Sequence, residues 1–263
     1  MRIQRPFVAM CLLASAGLAL NFALAADDSP RAAAIASSAA RDVGEKVPSE
    51  DSVIKDLHSL GLIEGHANIF RSASPLRDLI NGSGDAESNS AAMSEAKRRM
   101  RHLYDLGIRT IVSFENPNEV EPSGAGDDGK EKTTKSRVAL ERAAAAETGL
   151  NYISRPIANS GKNSLEDMSD ADVFKLLDPI SQEILNRAQD GGVLFHCSAG
   201  HDRTGIMAAY MRLKYQHWPV DQAIDEMRRF GHNWPKFSAN GGTSSWHEEH
   251  LKAIDKQLKQ VSP

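Results

Sequence analysis

Apolar positions in this chain alternate between two periods. Ile108 to Phe114 is a β-branched run of strand length, and Val193-Leu194-Phe195 is a shorter continuous one. Ala67 to Arg71 and Asn151 to Ile157 have the same character. Between these runs the apolar spacing lengthens to that of a helix. Met93, Ala96, Met100, Leu103 and Leu106 mark one helical face, ended by Gly107. Arg137 to Thr148 is an alanine-rich helix ended by Gly149. Val173, Leu176, Leu177, Ile180 and Ile184 mark a third face. Ser169 and Asp172 open it as a capping box, and Pro179 is expected to kink or divide it. Past Phe195 the pattern predicts a helix to about Gln216 and another from about Val220 to Phe230, closed by Gly231. A final helix is expected over Ser245 to Gln260. Strands alternating with helices predict an α/β fold: a mostly parallel central sheet with helices on both faces.

The ends and the loops break this pattern. Arg2 and Arg5 precede a charge-free apolar run from Phe7 to Leu24, and Ala23-Leu24-Ala25 provides small residues for cleavage. Residues 1–25 therefore read as a signal peptide, which predicts an exported, periplasmic or secreted protein. Residues 26–52, rich in Ala, Ser, Asp and Pro, read as a flexible leader. The apolar residues Val53, Ile54, Leu57, Leu60 and Leu62 open the ordered part, expected over 53–235, with a C-terminal helical extension over 236–263. Glu115 to Ser136 holds Pro, Gly, Asp and Lys in quantity and is expected to be an exposed loop. Beyond residue 25 no segment is long and apolar enough to insert stably in a membrane.

Composition narrows the function. Of 263 residues, 41% are hydrophobic and 25% charged, and the formal net charge is −4. No global basic field draws such a chain to nucleic acid. It contains two cysteines, Cys11 and Cys197, and only Cys197 lies beyond the expected signal peptide. One thiol cannot close an internal disulfide, and in an oxidising compartment it is exposed to mixed disulfides, which points to a role for the thiol itself.

The neighbours of Cys197 suggest that role. In Val193 to Gly205 (VLFHCSAGHDRTG) an apolar strand runs into Cys197, Arg203 follows, and a helix begins. A loop of this length between strand and helix can turn its backbone N–H groups around one centre, forming an anion nest at a helix N-terminus. Gly200 permits backbone geometry that a side chain would hinder. Arg203 can grip two phosphate oxygens through its planar fork. The same dipoles and guanidinium favour the thiolate, so one loop unites a phosphate receptor with a nucleophile at its floor.

These residues resemble the signature of the cysteine-dependent protein tyrosine and dual-specificity phosphatases: His-Cys, five residues, Arg, then Ser or Thr. His196, Cys197, Arg203 and Thr204 match it, and Gly200 matches its inner glycine. NIFRSASP (Asn68 to Pro75), LGIRTIVSF (Leu106 to Phe114) and GLNYISRPI (Gly149 to Ile157) fall in the order of bacterial members. The resemblance implies a protein tyrosine phosphatase-like fold. It implies Cys197 as nucleophile, Arg203 as phosphate clamp and the amides of Ser198, Ala199, Gly200, His201, Asp202 and Arg203 as cradle. It implies that Thr204 hydrogen-bonds the sulfur and that His196 orients the loop. No metal or other cofactor is implied.

The general acid has more than one candidate. Such phosphatases supply an Asp from a loop before the cysteine, here Ala158 to Asp170. Asn159 stands where several bacterial relatives place Asp. Asp167 lies thirty residues before Cys197, while Asp170 and Asp172 are committed to starting a helix. Asp202, inside the signature, resembles the lipid-phosphatase pattern Asp-Arg-Thr; its alternative is a structural carboxylate. Asp167 and Asp202 weigh equally. Glu115 either braces Arg203 or is a surface glutamate. His247 and His250 flank two glutamates and are expected on a solvated face, and Trp218, Trp234 and Trp246 are read as packing residues. The leading substrate is a phosphorylated protein. A phosphorylated inositol or lipid is the alternative, for which Asp202 and a charge on His201 would speak. A catalytically weak phosphate-binding module is the third reading.

Overall fold

The computed structural model describes residues 54–61, 63, 68–79, 90–117, 120–121, 132–158, 164–232 and 246–261. The signal-peptide and leader readings, Cys11, Asn159 and Trp234 lie outside these residues.

Five strands form the central sheet. β1 (His58–Ser59), β2 (Ile69–Ala73), β3 (Ile108–Ser113), β6 (Asn151–Ser154) and β7 (Gly192–Cys197) lie in the order β1-β2-β7-β3-β6. β1 runs antiparallel to β2, and the other neighbours are parallel. The helices are α1 (Ser90–Asp105), α2 (Thr134–Thr148), α3 (Asp170–Ala188), α4 (Asp202–Gln216), α5 (Val220–Arg229) and α6 (Trp246–Val261). The α/β fold with helices on both faces is as the pattern predicts.

Period-two alternation sorts the strand residues between two cores. Val193, Phe195 and Cys197 of β7, with Val112 and Phe114, face the side covered by α3, α4, α5 and α6. Leu194, with Phe70, Ile108 and Ile111, faces Met100 and Leu103 of α1 and Leu140 and Ala144 of α2. β7 is therefore sealed on both faces, which explains its unbroken apolar run. It also lies between β2 and β3, so its C-terminal end opens where the chain leaves the sheet to either side, the usual position of a binding site in an open α/β sheet.

Three local expectations need correction. α3 runs unbroken from Asp170 to Ala188 through Pro179 and is not divided. Its Asp178 accepts from Tyr210 and pairs with Lys214, which fastens the helix to α4 across the proline. Glu115 to Ser136 is not simply an exposed loop: Glu115 is fully buried, and β4 (Val120–Glu121) pairs antiparallel with β5 (Lys132–Thr133). The face of α6 that carries His247 and His250 is buried, not solvated. That face also places Leu251 and Ile254 in the same core as β7 and α4.

Candidate active site

β7 ends at Cys197, which is 2% exposed, and α4 begins at Asp202. The connection is so short that the first turn of α4 points its N–H groups, which lack intrahelical acceptors, back toward the end of the strand. The flanking strands set the loop's orientation. Ser198 O accepts from Ser74 N at 3.1 Å, and Gly200 O accepts from Arg71 Nη2 at 2.7 Å. In a planar trans peptide the C=O and the following N–H point in opposite directions. Tying these two carbonyls to the β2 side therefore turns the N–H groups of Ala199 and His201 the other way, as an anion nest requires.

Gly200 is required twice over. Its φ is +76°, and a Cβ there would stand 2.6 Å from Ala73 N and 2.7 Å from Ser72 O. The loop is pressed against the end of β2, and a side chain would push it away.

The arginines lie around this loop. Arg203 is buried, and its Nη1 donates to the carbonyls of Phe114 (3.3 Å) and Ile157 (3.2 Å), which orient the guanidinium from the ends of β3 and the segment after β6. Arg137 donates to Ser198 Oγ at 3.1 Å and to Glu115 Oε1 at 2.7 Å, so Glu115 is a buried partner of Arg137 and not a surface residue. Arg71 lies 4.5 Å from the Phe230 ring centroid. Burial pulls Arg71 down to about 10, against the opposing charges of Glu226 and Cys197, so it remains a cation at neutral pH.

His196 is fully buried, with Nε2 2.9 Å from Glu141 Oε1, an ion pair without hydrogen-bond alignment. Burial disfavours its charged form, but Glu141, Glu115 and Cys197 outweigh that and raise it to about 8. His196 thus stands behind the loop as an imidazolium, and it interacts with charge on Cys197. Thr204 is also fully buried, but its Oγ1 has no hydrogen-bond partner among the described residues, so the expected bond to the sulfur is not formed.

The two acid candidates have different surroundings. Asp202 Oδ1 accepts from His232 Nδ1 at 2.8 Å. Burial would push its carboxyl up, but the bond from His232 holds it below the usual carboxylate range. That is the structural carboxylate reading, with histidine as partner. His201 is pushed below its ordinary value, first by burial and further by Arg77 and Arg71, against the pull of Asp202 and Asp56. It therefore does not supply the positive charge expected of it. Asp167 ends a 3-10 turn (Leu165–Asp167) and is exposed. Ser164 and Leu165 beside it are buried and anchor the loop, with Ala158 bridging to Ser164.

Arg71, Arg137, Glu141 and His232 were not assigned roles from the sequence. Arg71 carried a signal, a charge inside an otherwise apolar strand. Arg137 and Glu141, one helical turn apart on α2, carried another. Among the described residues no three histidine, cysteine, aspartate or glutamate side chains are grouped to hold a metal ion, and no helix is long and apolar enough to cross a membrane.

A buried cysteine at the end of the central parallel strand, a glycine-shaped loop and an arginine at the start of the next helix define an α/β protein with a thiol-floored anion nest. Residues 89–215, just under half of the chain, match the tyrosine phosphatase family, and this segment is similar to the cysteine-dependent protein tyrosine and dual-specificity phosphatases. The chain is 36% identical over 64 residues to the dual specificity protein phosphatase TpbA of Pseudomonas aeruginosa strain UCBPP-PA14. That stretch is 24% of this chain and 28% of the relative, so the match spans just over a quarter of the curated relative's length. The crystal structure of P. aeruginosa TpbA aligns over 83% of this chain and 96% of its own, at 20% identity and a TM-score of 0.47. The core catalytic domain of the PP-IP phosphatase Siw14 from S. cerevisiae aligns over 82% and 93%, at 19% identity and a TM-score of 0.41.

Proposed function

We propose that this protein hydrolyses phosphate monoesters through a phosphocysteine, acting on phosphotyrosine or on both phosphotyrosine and phosphoserine/threonine in proteins. The observation that carries the reading is the burial of Cys197 at the end of β7, where it runs into a loop whose carbonyls are tied outward, with Arg203 in the first turn of α4. In the first step the Cys197 thiolate attacks phosphorus in line. The S–P bond forms, the ester P–O bond breaks, and an acid protonates the departing oxygen. In the second step water attacks phosphorus, the S–P bond breaks, and inorganic phosphate leaves. Charge on the equatorial oxygens is met by the loop amides and Arg203. Asp167 is assigned as the acid, because it stands exposed on the loop before α3 while the carboxylate of Asp202 is taken up by His232.

A phosphoinositide or inositol-phosphate substrate is the second reading: Asp202 inside the signature speaks for it, while His201, pushed below its ordinary value by burial, adds no charge in its favour. The segment 1–25 supports export as part of the same proposal, with the reactive thiol then open to reversible oxidation.

The decisive test is turnover of an aryl phosphate by Cys197→Ser and Arg203→Ala proteins. Cys197→Ser should lose turnover and keep phosphate binding, Arg203→Ala should lose both, and a chelator should leave the wild-type rate unchanged. Substantial turnover by Cys197→Ser would overturn the mechanism. Phosphate binding by a wild-type protein without turnover would instead support a phosphate-binding module.

A further inference from the structure

α6 lies outside the family-matched segment, yet it grips the loop that carries Asp167. With Leu251 and Ile254 docked in the core, the helix presents the buried ring of His250 to that loop. Nδ1 lies 2.6 Å from Asp170 Oδ1, and Nε2 lies 2.9 Å from Leu165 O. Leu165 opens the 3-10 turn and Asp170 opens α3, so one ring pins the loop on both sides of Asp167.

The chemistry of the contacts is specific. An ionised carboxylate and a peptide carbonyl are both acceptors, and a neutral imidazole has a single N–H. Both bonds therefore form together only when His250 is an imidazolium. Asp170 is the ionisable group facing it from α3, and His247 faces it from its own helix. Burial, followed by the influence of His232, pushes His247 down to about 3, so it stands beside His250 as a neutral ring. His232 and Asp202 interact with His247 in turn, and Arg228 of α5 pairs with Glu248, holding α6 against α5.

We propose that His250 is a positioning residue, clamping Leu165–Asp170 in the conformation from which Asp167 protonates the leaving group, and that α6 is thereby a working part of the active site. The inference rests on the reading of Cys197 as nucleophile and Asp167 as acid. Losing the charged contact frees the loop without touching the phosphate nest.

The test compares full-length wild type with His250→Ala, His250→Gln and Asp170→Asn, by hydrogen–deuterium exchange over residues 164–172 and by steady-state kinetics on an alkyl and an aryl phosphate. Exchange in this segment should quicken by about tenfold or more in His250→Ala. The kcat on the alkyl ester, which needs the acid, should fall about ten- to hundredfold at nearly unchanged KM, while the aryl ester with its good leaving group is barely affected. A glutamine amide can donate on one side only, so His250→Gln should fall between. Should His250→Ala not fold, Asp170→Asn, altered at an exposed helix start, carries the same comparison. Unchanged exchange, or an equal loss on both esters, overturns the clamp. If the wild type hydrolyses neither ester, the phosphatase reading fails, and the exchange measurement still decides whether His250 holds the loop.

Discussion

Replacing Gly200 by alanine separates the shape of the phosphate nest from its charges. Alanine at φ +76° bears a left-handed penalty of about 1–2 kcal/mol. Its Cβ would also stand 2.6 Å from Ala73 N and 2.7 Å from Ser72 O, both backbone atoms of a strand in the middle of the sheet. Neither atom can rotate away, so the loop must lift from β2, and overpacking of this kind costs about 1–3 kcal/mol. Together these predict a loss of about 2–5 kcal/mol, seen as a urea midpoint lower by about 1–2 M. Lifting the loop also breaks the alignment of the Arg71 bond to Gly200 O and turns the His201 amide away from the centre. Misdirecting one such donor is worth about 10²–10³-fold in kcat. Gly107→Ala is the matched control: φ is +86°, but nothing lies within 4 Å of the added Cβ. It should show the left-handed penalty alone, with turnover intact. The reasoning is refuted if Gly200→Ala matches Gly107→Ala in both midpoint and kcat, or if its folded fraction turns over substrate at the wild-type rate.

Leaving-group dependence assigns the acid: Asp167→Asn should slow an alkyl phosphate by about 10²–10⁴-fold and spare an activated aryl ester, whereas Asp202→Asn should show no such split. Stability should depend on pH through His196. Its value is raised in the folded protein to about 8, so the contribution is fully present below about pH 6.5 and is lost as pH rises through 8, a change on the order of 2 kcal/mol. Urea titrations from pH 6 to 9 should show this slope in the wild type and not in Glu141→Gln; an identical slope in both would assign it to another group.

The Cys197 loop was legible because its chemistry is local. A cysteine, a glycine and an arginine within one strand–loop–helix connection set the shape of that loop without reference to the rest of the chain. The helices were legible for a similar reason. Their boundaries fall at Gly107, Gly149, Gly231 and the Ser169 cap, where backbone conformation is set by neighbouring residues. Glu115 was ambiguous, since a glutamate among loop residues reads as surface until Arg137, 22 residues on, is brought against it inside the protein. The histidines of α6 were misread for the same reason. HEEH is a polar string in one dimension, and its burial depends on Asp170 and Leu165, which lie some eighty residues earlier.

The chain's local patterns thus specify the four parallel strands and the helices that cover the sheet on both faces, and the short loop that joins Cys197 to the next helix, but not the edge strand β1 or the β4–β5 pair. Those properties follow from periodicity, from glycine's freedom and from the geometry of one short loop. Folding settles the ionisation of the groups around that loop. Asp202 and Asp167 are the same residue type, but one is packed against His232 and held as an anion while the other is left exposed. A side chain's proton affinity depends on the burial and charge around it, and across β2, β3, α2 and α6 those neighbours come from parts of the chain too distant for spacing to reveal.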